Sequence, residues 1–93
     1  MVLFKFVANT AEKDIQRLSG QLSKLKDKIP GIVEYVWGKN VSPENKAQGF
    51  THGFVMTFKD KQSRDEYLIH AAHKCVIEEY IDPILEDVLV FDI

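Results

Sequence analysis

Apolar and polar positions change period several times along this chain. Residues 1–7 alternate, with Val2, Phe4 and Phe6 on one face and Leu3, Lys5 and Val7 on the other, which predicts a strand covered on much of both faces. Ile15, Leu18, Leu22, Leu25 and Ile29 then recur at steps of three and four, the apolar stripe of an amphipathic helix. Asn9 or Thr10 offers its N-cap, with Glu12 at capping-box spacing from Asn9. Lys26 and Lys28 suit the negative end of its dipole, and Pro30 with Gly31 stops it.

Alternation returns from Ile32 to Val41, setting Val33, Tyr35 and Trp37 against Ile32, Glu34 and Val36, with Gly38 ending the bulky part or marking a bulge. Ser42 and Pro43 predict a single helical turn in the loop that Gly49 closes. In the next strand, Phe50 to Phe58, one face carries Phe50, His52, Phe54, Met56 and Phe58, and the other Thr51, Gly53, Val55 and Thr57. Asp60 caps a helix that carries Tyr67, Leu68 and Ile69 towards His70. A further helical segment runs from about Ala71 to Ile81, Pro83 ends it, and Leu85 to Ile93 forms a last strand.

The order β-α-β-β-α-β, with its second helical region bent or split, predicts an α+β, ferredoxin-like antiparallel sheet with helices on one face, filling residues 1–93 as one domain. The other sheet face would then expose several of the bulky strand residues. So short a chain is expected to cover such a face with a second copy, making a homodimer whose two sheets close a barrel. Trp37 is expected at that dimer interface or at the barrel mouth.

Composition narrows the partners. A formal net charge of −2, with the lysines at 24, 26 and 28 surrounded by acidic residues, gives no reason to expect nucleic acid. No apolar run approaches the roughly 20 residues that span a bilayer, so no membrane partner is expected. The start, MetValLeuPheLysPhe, lacks a basic leader and a small-residue cleavage site, and the expected compartment is the cytoplasm. The single cysteine, Cys75, reads as a buried, inert thiol.

Candidate chemistry centres on His52, His70 and His73. His73 can accept a proton near neutral pH, or it can bond a backbone carbonyl as a structural group. His52 stands alone in a row of aromatic and Met side chains, which favours a hydrogen-bonded core histidine over a ligand-binding one. His70 is expected to face outward at the helix break. The i,i+3 spacing of His70 and His73 is common by chance, and neither a metal site nor a cofactor is expected.

Several stretches resemble one family: ValLeuPheLysPhe at the start, LysIleProGlyIle at 28–32, TrpGlyLysAsnValSer at 37–42, GlyPheThrHisGlyPhe at 49–54, HisAlaAlaHis at 70–73 and LeuGluAspValLeuValPheAsp at 85–92. Together they are similar to the stress-responsive A/B-barrel domain (Dabb) family of the dimeric α+β barrel superfamily. The resemblance implies a homodimer with an apolar cavity for a small hydrophobic or aromatic molecule, lined by His52, Leu22, Phe54 and His73. Cyclase-type members close a linear polyketide by aldol condensation, and for them it implies His73 as general base with Tyr67 assisting. A purely structural, oligomeric stress protein is the third possibility. The chain departs from the cyclase type at Met1, at Leu22, and at Ala71, where the family's usual proline would break the helix.

Overall fold

The structure, a computed structural model, describes residues 1–92. Its elements follow the predicted order: β1 (Val2–Phe6), α1 (Glu12–Lys28), β2 (Ile32–Lys39), β3 (His52–Phe58), α2 (Lys61–Ile69), α3 (Ala71–Val76) and β4 (Leu85–Val90). A wide turn, Ile77–Ile81, and a short 3-10 turn, Asp82–Ile84, join α3 to β4. The sheet runs β2-β3-β1-β4 with every neighbouring pair antiparallel, so β3 lies between β2 and β1. This is the ferredoxin-like arrangement, with the helices packed on one sheet face. Ile93, the last residue of the predicted final strand, lies outside the described residues.

The stripe on α1 is the centre of the core. Leu18, Leu22, Leu25 and Ile29 are fully buried against Phe4 and Phe54 of the sheet and Val76 and Ile81 of the second helical region. Each such side chain stabilises the fold by about 1.5–3 kcal/mol on leaving water. The aromatic rings gather on this same face, where Phe4 packs against Phe6, Trp37 and Phe54. The expectation that the open face would show the bulky residues is therefore corrected. That face carries aliphatic side chains instead, including Leu3, Val36, Val55 and Leu89, and Trp37 packs against Phe4 within the subunit. Gly53 smooths the open face, because a Cβ there would meet Leu3 Cδ2 at 2.8 Å.

Local expectations changed in five places. The predicted cap of α1 is replaced by Ala11, which supplies no side-chain bond, while Thr10 Oγ1 instead bonds the carbonyl of Val7 and Asn9 takes a left-handed turn (φ 66°). A register shift between Ile32 and Glu34 breaks the alternation, so Ile32 is buried with Tyr35 and Trp37 on the helix side instead of sharing a face with Glu34 and Val36. The stretch Ser42–Asn45 is a simple turn, with Glu44 N–H donating to Ser42 Oγ, and the third strand begins at His52 rather than Phe50. Cys75 is exposed, because α3 turns Val76 to the core in its place.

The expected stop after α1 holds. Gly31 takes a φ of 92° and its carbonyl accepts from Lys59 N–H at 2.7 Å. A Cβ at this position would overlap the Ser63 hydroxyl, so glycine lets β2 start tight against α2.

Candidate functional site

The second helical region is built around an interruption. Asp60 caps α2, accepting from Ser63 N–H at 2.7 Å, as its position predicts. At His70 the backbone becomes extended (φ −70°, ψ 136°), and a new helix begins at Ala71. The break therefore persists with Ala71 in the place where the resemblance puts a proline. Its cause is side-chain chemistry: His70 Nδ1 accepts from Ala72 N–H at 3.0 Å. His70 is consequently folded back and half-buried, not turned outward.

The interruption aims Tyr67 and His73 at one another. Their ring centroids lie 4.1 Å apart with an interplanar angle of 33°. Both line a cavity of about 320 Å³ between the sheet and the second helical region. Its walls are mostly apolar, with Phe4, Leu22, Phe54, Met56 and Phe58 on one side and Ile77 and Ile81 on the other. Ile77 and Ile81, four residues apart on the wide turn after α3, both reach the cavity. The polar lining is sparse: Tyr67, His73, and Arg64, Asp82 and Asp92.

Burial sets the protonation of the pair. Tyr67 is buried, and desolvation, reinforced by Tyr35, pushes its phenol up to about 12, so it remains a neutral hydroxyl donor at any physiological pH. Burial pushes the His73 imidazole below its ordinary value; the Leu68 carbonyl opposes this, and His70 adds to the lowering. His73 Nδ1 lies 3.4 Å from that carbonyl, a long hydrogen bond. At neutral pH the cavity thus holds an uncharged imidazole stacked on an uncharged phenol.

Of the residues expected around the cavity, the structure brings together Leu22, Phe54, His73 and Tyr67. His52 does not line this cavity, which corrects its expected place; it lines a second hollow with Trp37, Lys39 and Phe50. The register places it opposite Phe4 and Lys39, with its ring 5.3 Å from Phe6 and 5.8 Å from Trp37. Its Nδ1 lies 2.8 Å from Thr51 Oγ1, whereas Nε2 is buried with no hydrogen-bond partner among the described residues. Nor do the histidines converge as metal ligands, and among the described residues no group of three metal-ligating side chains forms. Sequence reasoning missed Arg64, Ile77 and Asp82 as lining residues. The wide turn and the 3-10 turn after it, which leave no periodic signal, bring the last two to the cavity.

The buried His52 and the half-buried His73 give a pH test. Burial lowers the pKa of His52, with Glu12 opposing and Lys39 assisting, in the same direction as His73. A lowered folded-state value means that the unfolded chain binds protons first. Stability is therefore full above the unfolded value of about 6.5 and falls as pH drops below it. We expect the urea midpoint to decline between about pH 6.5 and 5, with a slope of at most about 1.4 kcal/mol per pH unit for each group. In His52→Leu that slope is expected to be shallower.

A family model, the stress responsive A/B barrel domain, matches residues 1–93. The chain is similar to olivetolic acid cyclase of Cannabis sativa, 29% identical over 92 residues that cover 99% of this chain and 90% of that one. A crystal structure from Arabidopsis thaliana superposes with a TM-score of 0.92 at 34% identity, over 99% of this chain and 88% of that one. A dimeric ferredoxin-like protein of unknown function from Jannaschia sp. CCS1 superposes with a TM-score of 0.83 at 26% identity, over 99% and 92% of the two chains. No helix of the described residues is long and apolar enough to cross a membrane.

Proposed function

The chain belongs to the stress responsive A/B barrel domain family, and from that premise we propose that it is a homodimer whose subunits each hold a small hydrophobic or aromatic, oxygen-bearing molecule in the cavity beside Tyr67 and His73. One observation carries the reading: a mostly apolar cavity of about 320 Å³ whose sparse polar lining includes a phenol and an imidazole stacked on one another, both uncharged at neutral pH. That volume lies at the small end of the roughly 300–1,000 Å³ typical of ligand sites, matching a single ring or a short chain. The dimeric relative and the aliphatic open sheet face support the pairing of two copies.

A second reading follows from the likeness to olivetolic acid cyclase, which extends over 99% of this chain. In it, the same pair acts on the ligand, with His73 as base and Tyr67 as hydroxyl donor. A third possibility, a purely structural role in assembly, leaves the cavity without a task.

The test is a titration calorimetry experiment with olivetolic acid as the probe. Wild type is expected to bind it. Val88→Trp, which fills the cavity from the edge strand at a position already 40% exposed, is expected to weaken binding at least about tenfold. Equal affinity in the variant would remove the cavity from consideration, and loss in both His73→Leu and Tyr67→Phe would locate the polar end.

A further inference from the structure

We propose that His70 is a positioning residue: by capping α3 it frees the Leu68 carbonyl, which holds His73 in its Nδ1–H tautomer and leaves Nε2 as the proton acceptor for a ligand. This rests on the reading of His73 as the polar group of the cavity, and it adds which atom acts and what sets it.

The backbone bonds carry the inference. In an unbroken helix the Ala72 N–H would donate to the Leu68 carbonyl, four residues back. Here that N–H is spent on His70 Nδ1 at 3.0 Å. On either side of the step, His70 N–H donates to the Tyr67 carbonyl at 3.1 Å and Lys74 N–H to the His70 carbonyl at 3.1 Å. Leu68 is thus the carbonyl released by the cap, and a released carbonyl near a helix break needs another donor. His73 Nδ1, at 3.4 Å, is the donor it meets. A carbonyl oxygen only accepts, so Nδ1 carries the proton and Nε2 keeps its lone pair. The opposite tautomer would set a nitrogen lone pair against the carbonyl oxygen. His70 is fixed in the converse state: its Nδ1 accepts, so its proton sits on Nε2.

The consequence is a selective one. At the stacked pair the cavity offers an acceptor in His73 Nε2 and a donor in the Tyr67 hydroxyl, apart from the charged Arg64, Asp82 and Asp92 of its lining. It therefore favours a ligand that brings a proton to His73, such as a phenol, an enol or a carbon acid between two carbonyls, together with an oxygen for Tyr67. A ligand with only carbonyl acceptors would leave His73 Nε2 unmatched.

Long-range ¹⁵N–¹H correlation spectra of histidine-labelled protein at pH 7.5 read the tautomer with no ligand present. Wild-type His73 is expected as Nδ1–H. In His70→Ala the helix can close, Ala72 N–H returns to Leu68, and His73 is expected to change to Nε2–H, with olivetolic acid affinity falling about tenfold. His70→Asn, whose side-chain oxygen can cap in the same way, is expected to keep both properties. An Nε2–H His73 in wild type, or an Nδ1–H signal that persists in His70→Ala, overturns the proposal. Should His70→Ala fail to fold, the wild-type and His70→Asn spectra still decide it. The expected tautomers without any binding of olivetolic acid would uphold the positioning role and defeat the ligand reading instead.

Discussion

In the proposed homodimer, Val55→Asp is expected to give a monomer at micromolar concentration without unfolding the subunit. Val55 stands on the open face of β3 directly across from Val36 of β2, and the two are 44% and 52% exposed within one subunit. Leu3 and Leu89 extend the patch as a register pair across β1 and β4. A patch of this kind on a lone subunit marks a partner surface. In a two-fold dimer the same patch meets itself, so one substitution puts two carboxylates into the interface. Each charge withdrawn from water without a partner costs several kcal/mol. We therefore expect the dissociation constant to rise on the order of a thousandfold, equivalent to about 4 kcal/mol. Because Val55 is absent from the helix-side core, circular dichroism and the urea slope should stay near wild type. Sedimentation velocity across dilution measures the effect. A wild type that sediments as a monomer, or a variant as dimeric as its parent, would refute the pairing of open faces.

The residues that made this fold legible are those whose environment repeats. Ile15, Leu18, Leu22, Leu25 and Ile29 announce α1 because a helix must return one side chain in three or four to the core. Alternation announces the strands, and Asp60 announces α2 because its carboxylate suits free N–H groups at a helix start. What stayed hidden depends on events of one residue. The bulge at Val33 and Glu34 reverses which face Ile32 occupies, and nothing in the apolar pattern marks a skipped residue. His52 was legible as a buried polar group but not as one remote from His73, since strand alternation fixes a face and not a position along the face. A bend or split near His70 was legible, but the Ala72 N–H bond to His70 Nδ1 that sets it, and with it the approach of Tyr67 to His73, was not. Cys75 and Val76 are neighbours on a helix of six residues, too short for a stripe to say which of them faces in.

The cyclase-type reading places its largest demand on His73. With a linear poly-β-ketone, Nε2 would take a proton from the carbon between two carbonyls, and the resulting carbanion would attack a distant ketone carbon. A carbon–carbon bond forms, the ketone oxygen becomes an alkoxide, and the imidazolium returns the proton to it, so that acid and base balance within one residue. Tyr67, neutral because burial raises its phenol to about 12, would donate to an oxygen on which charge develops. The lowered pKa of His73 favours this work, as the base is already free of its proton at neutral pH. Removing a positioned general base costs about 100- to 10,000-fold in rate. His73→Ala is expected to slow ring closure of such a substrate by that factor, and Tyr67→Phe by less, while the dimer persists in both. Stopped assays with product separation read the rates. A wild type that closes the ring no faster than buffer would leave a binding protein, because the geometry that suits a base also suits a hydrogen-bond acceptor. An active His73→Ala would move the chemistry elsewhere in the cavity, where the titratable lining left is Tyr67, Arg64, Asp82 and Asp92.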